Sequence, residues 1–176
     1  MRKIYLSTLN FSQDDNFLFN KEQRLIIISG PNAGGKTVAL KTLGLLVMMN
    51  QMGLAIPTKE PANLAYFPKI FADIGDNQSL SDNLSTFAAH VSNLSTITHF
   101  VTANDLVILD ELGTGTDPKE GEALALASIK YLETKHCLAM ISSHFNKVKE
   151  YALTNENIEN SYKENPVRFC GLDFFC

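Results

Sequence analysis

Short runs of apolar residues alternate along this chain with longer segments whose apolar residues recur every three or four positions. This alternation is typical of a parallel sheet flanked by helices. The runs at 25–29, 106–110 and 137–142 consist almost entirely of consecutive apolar residues, so they predict strands that are buried on both faces. Residues 69–74 predict a weaker strand, and the helical spacing predicts helices at 36–52, 86–100 and 119–133.

The predicted class is therefore α/β, with a largely parallel central sheet flanked by helices. A chain of 176 residues suits one domain, long enough to bury about two-thirds of the surface that its unfolded form exposes. Without a repeat or a convincing linker, residues 1–176 are expected to form a single domain, in which the apolar segment 163–176 has no assigned place. Residues 53–68 contain three prolines and predict a surface excursion.

Net charge, cysteine content and the length of apolar runs argue against several kinds of binding site. The net charge is -4 and the pI is near 5.5, which argues against a domain that holds nucleic acid by itself, because phosphate binding usually needs a clustered basic face. The three cysteines form no CxxC pair, so a disulfide framework or a zinc site is not indicated. No apolar run approaches 18 residues and no leader is evident, so we expect a soluble cytoplasmic protein that is not bound to a membrane.

A glycine-rich phosphate-binding motif follows the first predicted strand directly. Glycines let successive backbone N–H groups point at one anion, and the helix that follows adds positive potential at its N-terminus. Lys36 is expected to reach the β and γ phosphates of ATP, and the Thr37 hydroxyl to bind Mg²⁺. The alternative is a turn whose lysine is merely solvated. The motif, GxxxxGK[ST], consists of Gly30, Pro31, Asn32, Ala33, Gly34, Gly35, Lys36 and Thr37.

Two adjacent acids end the second buried strand. A carboxylate at the end of such a strand needs a cation or dense hydrogen bonding, so Asp110 is a candidate Mg²⁺ ligand together with Thr37. Side chains alternate along a strand, so Glu111 points elsewhere, and at the strand end it could orient and deprotonate water. Glu111 could instead pair with Lys36 or cap a helix.

Further features bear on the class of nucleotide-binding protein. The segment Asn146-Lys147-Val148-Lys149 lacks the aspartate of a guanine-reading NKxD loop. Adjacent metal-binding and water-activating acids suit hydrolysis better than transfer to an acceptor. His144 follows the third buried strand and could sense the γ phosphate, although a histidine at a strand end is often a surface residue. Ser85 is expected to cap the helix that begins at Thr86, as a phosphate clamp or as an ordinary N-cap.

Four segments together resemble the ATPase domain of the MutS family, a branch of the ABC-type P-loop ATPases. They are GPNAGGKT, the helix start Ser85-Thr86-Phe87, LVILDELGTGTDPKEG and SSHF, and the resemblance covers roughly residues 20–162. The second bacterial type of MutS protein is the more similar branch. The details that favour it are Val38 after the lysine and threonine, the loop GTGTDPKEG, and the segment IGDNQSLSDNLSTF.

The resemblance implies an ATPase whose active site is shared across a homodimer. It implies that residues from Gly30 to Val38 bind ATP, that Thr37 and Asp110 bind Mg²⁺, and that Glu111 activates water. His144 would sense the γ phosphate, and Ser85 would act on the nucleotide of the opposite subunit. The loop 112–117 would run along the dimer seam, and DNA would be bound by domains outside these 176 residues.

Two other functions remain open at this point. One is another ABC-type ATPase, such as a chromosome-maintenance head or a transporter subunit. LSTF is a poor substitute for LSGGQ, and the stretch 37–85 leaves little room for a transporter's helical subdomain. The other is a fragment that binds nucleotide without useful turnover.

Overall fold

A computed structural model describes residues 24–30, 35–56, 64–75 and 83–162, with only the backbone at 83–86 and 159–162. Five parallel strands form one sheet in the order β2-β3-β4-β1-β5. The strands are β1 (Leu25–Ser29), β2 (Ile70–Asp73), β3 (Leu106–Leu109), β4 (Leu138–Ser143) and β5 (Ile158–Tyr162). Every residue of β1, β3 and β4 is buried, as the continuous apolar runs predict for strands covered on both faces.

Four helices cover the two faces of this sheet: α1 (Lys36–Gln51), α2 (Asn83–Phe100), α3 (Pro118–Lys135) and α4 (Asn146–Thr154). Alternate residues of the buried strands feed two separate apolar clusters, because successive side chains of a strand point to opposite faces. Ile26 and Ile108 pack in the cluster that contains the buried residues of α1. Ile27 and Val107 pack in the cluster that contains those of α2, α3 and α4. The described chain is thus a three-layer α/β/α structure.

The α/β class and the parallel sheet are confirmed, and several element limits are corrected. β3 ends at Leu109, so Asp110 lies just after the strand, and β4 runs from Leu138 to Ser143. α2 begins at Asn83, so Ser85 is the third helical residue and not the N-cap. The earlier start follows from the sequence, because Leu84 continues the helical spacing of apolar residues seen from Phe87 onward.

The sequence did not predict α4 or β5. α4 has nine residues, of which Val148 and Ala152 are buried, so its apolar pattern is too short to be distinctive. β5 reads IENSY and pairs with β1 at the edge of the sheet, where polar residues are tolerated. No helix within the described part of the chain is both long and apolar enough to cross a lipid bilayer. The expectations for residues 31–34 and for the segment 163–176 fall outside the described residues.

All five strands run in the same direction, so their carboxyl ends meet at one edge of the sheet. Gly30 follows β1, Asp73 ends β2, Asp110 follows β3 and His144 follows β4. In open parallel sheets this edge is where ligands bind. The sequence candidates Gly30, Asp110 and His144 therefore lie at the ends of three strands on one side of the molecule, with Asp73 at the end of a fourth.

Candidate functional site

The phosphate-binding motif lies between β1 and α1, as the sequence predicts. Gly35 occupies the N-cap position of α1 with φ of 75°, a left-handed conformation that glycine adopts without steric cost. Lys36 is the first residue of the helix, followed by the half-buried Thr37 and the exposed Val38. A helix N-terminus and a lysine are therefore at the carboxyl edge of the sheet, where both favour an anion.

Lys36 is buried, with 5% of its surface exposed, and its Nζ donates to the carbonyl oxygen of Gly30 at 2.5 Å. Burial lowers the pKa of Lys36, while the negative charges of Glu111 and Asp110 act in the opposite direction. Lys36 follows β1 and the two acids follow β3, so all three charged groups lie at the same carboxyl edge of the sheet. The motif after β1 and the acids after β3 thus belong to one electrostatic site.

Asp110 is 7% exposed and its carboxylate is held by β4. The Ser142 hydroxyl donates to Oδ1 of Asp110. The backbone N–H of Asp110 donates to the carbonyl oxygen of Asp73 at 2.9 Å, which fixes the start of the loop against β2. Among the described residues, the Ser142 hydroxyl is the hydrogen-bond donor to this carboxylate.

Glu111 turns the chain away from the sheet. Its φ is 47°, in the left-handed region that residues with a side chain rarely adopt. Its backbone N–H donates to the Ser142 hydroxyl at 2.8 Å, and the next N–H, of Leu112, donates to the Ser142 carbonyl at 3.2 Å. Ser142 therefore holds the backbone of Glu111 and the side chain of Asp110 at once.

The loop after the carboxylates is locked against α3 by two glycines. A Cβ atom on Gly121 would lie 2.1 Å from the carbonyl oxygen of Gly113, and one on Gly113 would lie 2.3 Å from that of Gly121. The Phe145 ring borders the same contact, 3.0 Å from the position of a Gly113 Cβ. At the end of the loop, the Asp117 side chain caps α3 by accepting from the N–H of Lys119 at 2.9 Å. The loop 112–117 is therefore a fixed part of the carboxyl edge.

His144 is exposed immediately after β4, two residues beyond Ser142. Its ring packs on that of Phe145 with 4.4 Å between the ring centroids. The Phe145 ring also borders the contact between Gly113 and Gly121, so it lies between the imidazole of His144 and the loop 112–117. Its position at the carboxyl edge is the one expected for a residue that contacts a bound phosphate.

Ser85 lies in the first turn of α2, where backbone N–H groups have no partner within the helix. Its side chain is outside the description, as are residues 31–34 of the phosphate-binding motif. The structure therefore assembles Gly30, Gly35, Lys36, Asp110 and Glu111 at one site and leaves Ser85 at the start of a neighbouring helix.

The donor set fits a magnesium ion better than a metal bound by protein alone. In the described residues, no three His, Cys, Asp or Glu side chains gather into a group that could hold a metal. Magnesium bound with nucleotide takes one or two protein oxygens and fills its other positions with phosphate oxygens and water. A buried aspartate whose carboxylate is oriented by Ser142 can supply one such oxygen.

Ser142 and Asp73 are the site residues that sequence reasoning missed. Ser142 is fully buried after the four apolar residues that begin β4, and this was the available signal: a hydroxyl in that position requires partners. Asp73 ends the weaker strand β2, and its side chain contacts His90 and Asn93 of α2. Nothing in the sequence links those two residues to Asp73.

Comparison with known proteins gives one family. A family model described as MutS domain V matches residues 26–166. The chain is 48% identical over 152 residues to the protein named endonuclease MutS2 of Alkaliphilus metalliredigens, covering 86% of this chain and 19% of that protein. It is 49% identical over 148 residues to endonuclease MutS2 of Fusobacterium nucleatum, covering 84% and 19%. The chain thus spans about a fifth of the length of the curated relatives that it matches.

Proposed function

Because this chain belongs to the MutS family through its match to domain V, we propose that it is an ATP-binding and ATP-hydrolysing domain of the ABC-type P-loop class. The observation that carries the proposal is the convergence of Lys36 with Asp110 and Glu111 at the carboxyl edge of the sheet. A buried ammonium beside two acids is the arrangement expected where a polyphosphate and its cation are to be bound together.

In this proposal the N-terminus of α1 and Lys36 bind the phosphates of ATP. The Lys36 ammonium, which donates to the Gly30 carbonyl, exchanges that partner for phosphate oxygens. Its burial favours this exchange, since a charge-assisted hydrogen bond is stronger where water is excluded. Residues 30–38 form the phosphate-binding segment, and Thr37 and Asp110 hold Mg²⁺. When bound, Mg²⁺ neutralises charge on the phosphate oxygens.

Glu111 is the proposed general base. The hydrogen bond from its N–H to Ser142 fixes its backbone, so the carboxylate can align one water molecule and accept its proton. Asp110 differs from Glu111, because Ser142 holds its side chain directly. His144 lies at the same edge and is proposed to donate a hydrogen bond to the γ phosphate. Ser142 thus fixes the side chain of Asp110 but only the backbone of Glu111, which agrees with the separate roles proposed for them.

We further propose that two copies of the domain face each other, so that Ser85 of one copy acts on the nucleotide of the other. The first turn of α2 suits this role because the first N–H groups of a helix have no partner within it and attract phosphate. The curated relatives are named endonucleases and are about five times as long as the matched region. In a protein of that kind we propose that DNA is bound by other domains and that nucleotide state in this domain controls that binding.

The test is nucleotide binding and turnover in three proteins: the natural chain, Glu111→Gln and the control Glu150→Gln. Glu150 is exposed on α4, so the control makes the same chemical change away from the site. We expect Glu111→Gln to lower the rate of phosphate release by about 10² to 10⁴ and to keep MgATP affinity within about threefold, because a general base contributes a factor of that size. The control should match the natural chain.

A shared site makes a second prediction, which concerns concentration. The rate per mole should rise with protein concentration, and sizing chromatography in MgATP should show a dimer. A rate per mole that stays constant from dilute to concentrated protein would rule out the shared site. Tight MgATP binding without phosphate release at any concentration would identify a binding domain without turnover, and no MgATP binding at all would reject the nucleotide site.

A further inference from the structure

The two halves of α2 are attached to the molecule by different forces. In the C-terminal half, Leu94 and Ile97 are buried in the apolar cluster beneath the sheet. In the N-terminal half, none of the described side chains, at 87–93, is fully buried. Apolar packing therefore anchors the C-terminal half of the helix and contributes much less at positions 87–93.

A polar contact holds the N-terminal half instead. The Nδ1 atom of His90 lies 2.8 Å from Oδ2 of Asp73, and because a carboxylate only accepts hydrogen bonds, Nδ1 carries the proton. The side-chain amide of Asn93 donates to Oδ1 of the same carboxylate at 3.1 Å. His90 and Asn93 are three residues apart and so share one face of the helix. Both oxygens of Asp73 are thus used to hold α2.

The backbone of Asp73 is bound to the nucleotide site at the same time. Asp73 pairs with Leu109 in the sheet, and its carbonyl oxygen accepts from the N–H of Asp110 at 2.9 Å. A single residue therefore connects the loop that carries the two acids to the helix that carries Ser85. His90 is five residues from Ser85, about 7.5 Å along the helix axis at 1.5 Å per residue.

We propose that Asp73 is a positioning residue, and that its contacts with His90 and Asn93 set where the first turn of α2 stands relative to Asp110 and Glu111. This inference rests on the proposed function, in which Ser85 meets the nucleotide of the opposite copy. Without these contacts, α2 would still be packed at Leu94 and Ile97 and would pivot there. The first turn would then move while the local site of Lys36, Asp110 and Ser142 stayed intact.

The experiment compares Asp73→Ala, His90→Ala and His90→Asn with the natural chain. In His90→Asn the side-chain amide nitrogen takes the place of Nδ1 as a donor, so the contact is retained. Ser92→Ala is the control, since Ser92 is exposed on the same helix. For each protein the rate per mole is measured against concentration, together with the MgATP dissociation constant of dilute protein. Hydrogen exchange of the α2 amides reports on the contact itself.

Asp73→Ala and His90→Ala should lower the rate at high concentration about 10- to 100-fold, because a misplacement of about 1 Å can cost that much. Their MgATP dissociation constants should change less than about twofold. Exchange at residues 87–93 should quicken, while residues 94–100 keep their protection. His90→Asn should recover most of the lost rate, and Ser92→Ala should behave as the natural chain.

Two results would overturn the inference while the proposed function stands: variants that follow the natural concentration curve, or exchange at 87–93 that does not change. An equal loss of MgATP affinity in His90→Ala and His90→Asn would also overturn it, because general damage to the fold would then account for the lost rate. If the natural chain itself shows a flat rate per mole, the shared site is rejected, and the role of Asp73 in it is rejected too. The exchange data would then still show whether Asp73 holds α2.

Discussion

Helices α2 and α3 both span 18 residues, begin at the carboxyl edge of the sheet and pack into the same apolar cluster, yet they are held very differently. The buried residues of α3 extend from Gly121 in its first turn to Leu132 near its C-terminal end. α2 has its fully buried described side chains only from Leu94 onward. The comparison teaches that this edge combines one helix with buried residues along its length and another in which the described side chains before Leu94 are held by polar contacts of His90 and Asn93.

The fixed helix belongs to the loop that follows the acids, and the less buried one carries the residue proposed to act on the opposite copy. Such a division agrees with the proposed function, in which the two acids would need a constant geometry whereas the proposed contact between copies would form and separate. Elements that move are drawn from the parts of a fold with the fewest buried apolar contacts. Substitutions in the two helices can test how far the division holds.

The largest expected effect comes from truncating one buried leucine in each helix. Leu132→Ala in α3 removes a side chain that is 0% exposed, and we expect a cost near the upper end of the usual range of about 2–5 kcal/mol. Leu94→Ala in α2 removes one that is 7% exposed, and the cost should lie near the lower end. Denaturant unfolding measures both. Equal costs would mean that the two helices are anchored equally well.

The next effect concerns the contact between Gly113 and Gly121. Alanine usually stabilises a helix interior by up to about 1 kcal/mol relative to glycine. In Gly121→Ala the new Cβ would meet the Gly113 backbone oxygen at 2.1 Å, so the steric term should prevail and leave a net loss of about 1–3 kcal/mol. Ala127→Gly, at an exposed position of the same helix, is the control for propensity alone. A stabilised Gly121→Ala protein would show that the loop can move away from α3.

A smaller effect is expected at the start of α3. Asp117→Ala removes the cap that accepts from the N–H of Lys119 and should lower the free energy of unfolding by about 1 kcal/mol. Asp117→Asn keeps a capping oxygen and should retain most of the stability. Thermal unfolding compares the three proteins. No loss in Asp117→Ala would indicate that Pro118 and the glycine contact suffice to define the helix start.

The smallest effect depends on pH and concerns the far end of α3. Burial tends to raise the pKa of Glu133, but hydrogen bonds from Tyr151 and Asn155 act in the opposite direction, and the pKa lies below its ordinary value of 4.5. The unfolded chain takes up the proton first, so this contribution is complete at neutral pH and is lost as the pH falls below 4.5 through the lowered pKa. The unfolding free energy of Glu133→Gln should therefore vary less with pH across that range than the unfolding free energy of the natural chain. Parallel curves for the two proteins would contradict the assignment.

The sequence determined the parts of this protein that depend on neighbours along the chain. Three continuous apolar runs gave the central strands, and a glycine-rich motif before a helical pattern located Lys36 at a helix start. Two acids after a buried strand marked Asp110 and Glu111. These features are local, because apolar period, turn residues and the end of a strand are all read within about ten residues.

Tertiary structure alone decided how those parts are connected. Ser142 reaches Asp110 and Glu111 across 32 and 31 residues of chain, and His90 reaches Asp73 across 17, so no local pattern contains either contact. The short α4 and the polar edge strand β5 exist because the rest of the fold gives them a surface to pack or pair against. The reason is the same in each case: hydrogen bonds and packing act between groups that are close in space, and the order of strands in the sheet determines which groups those are.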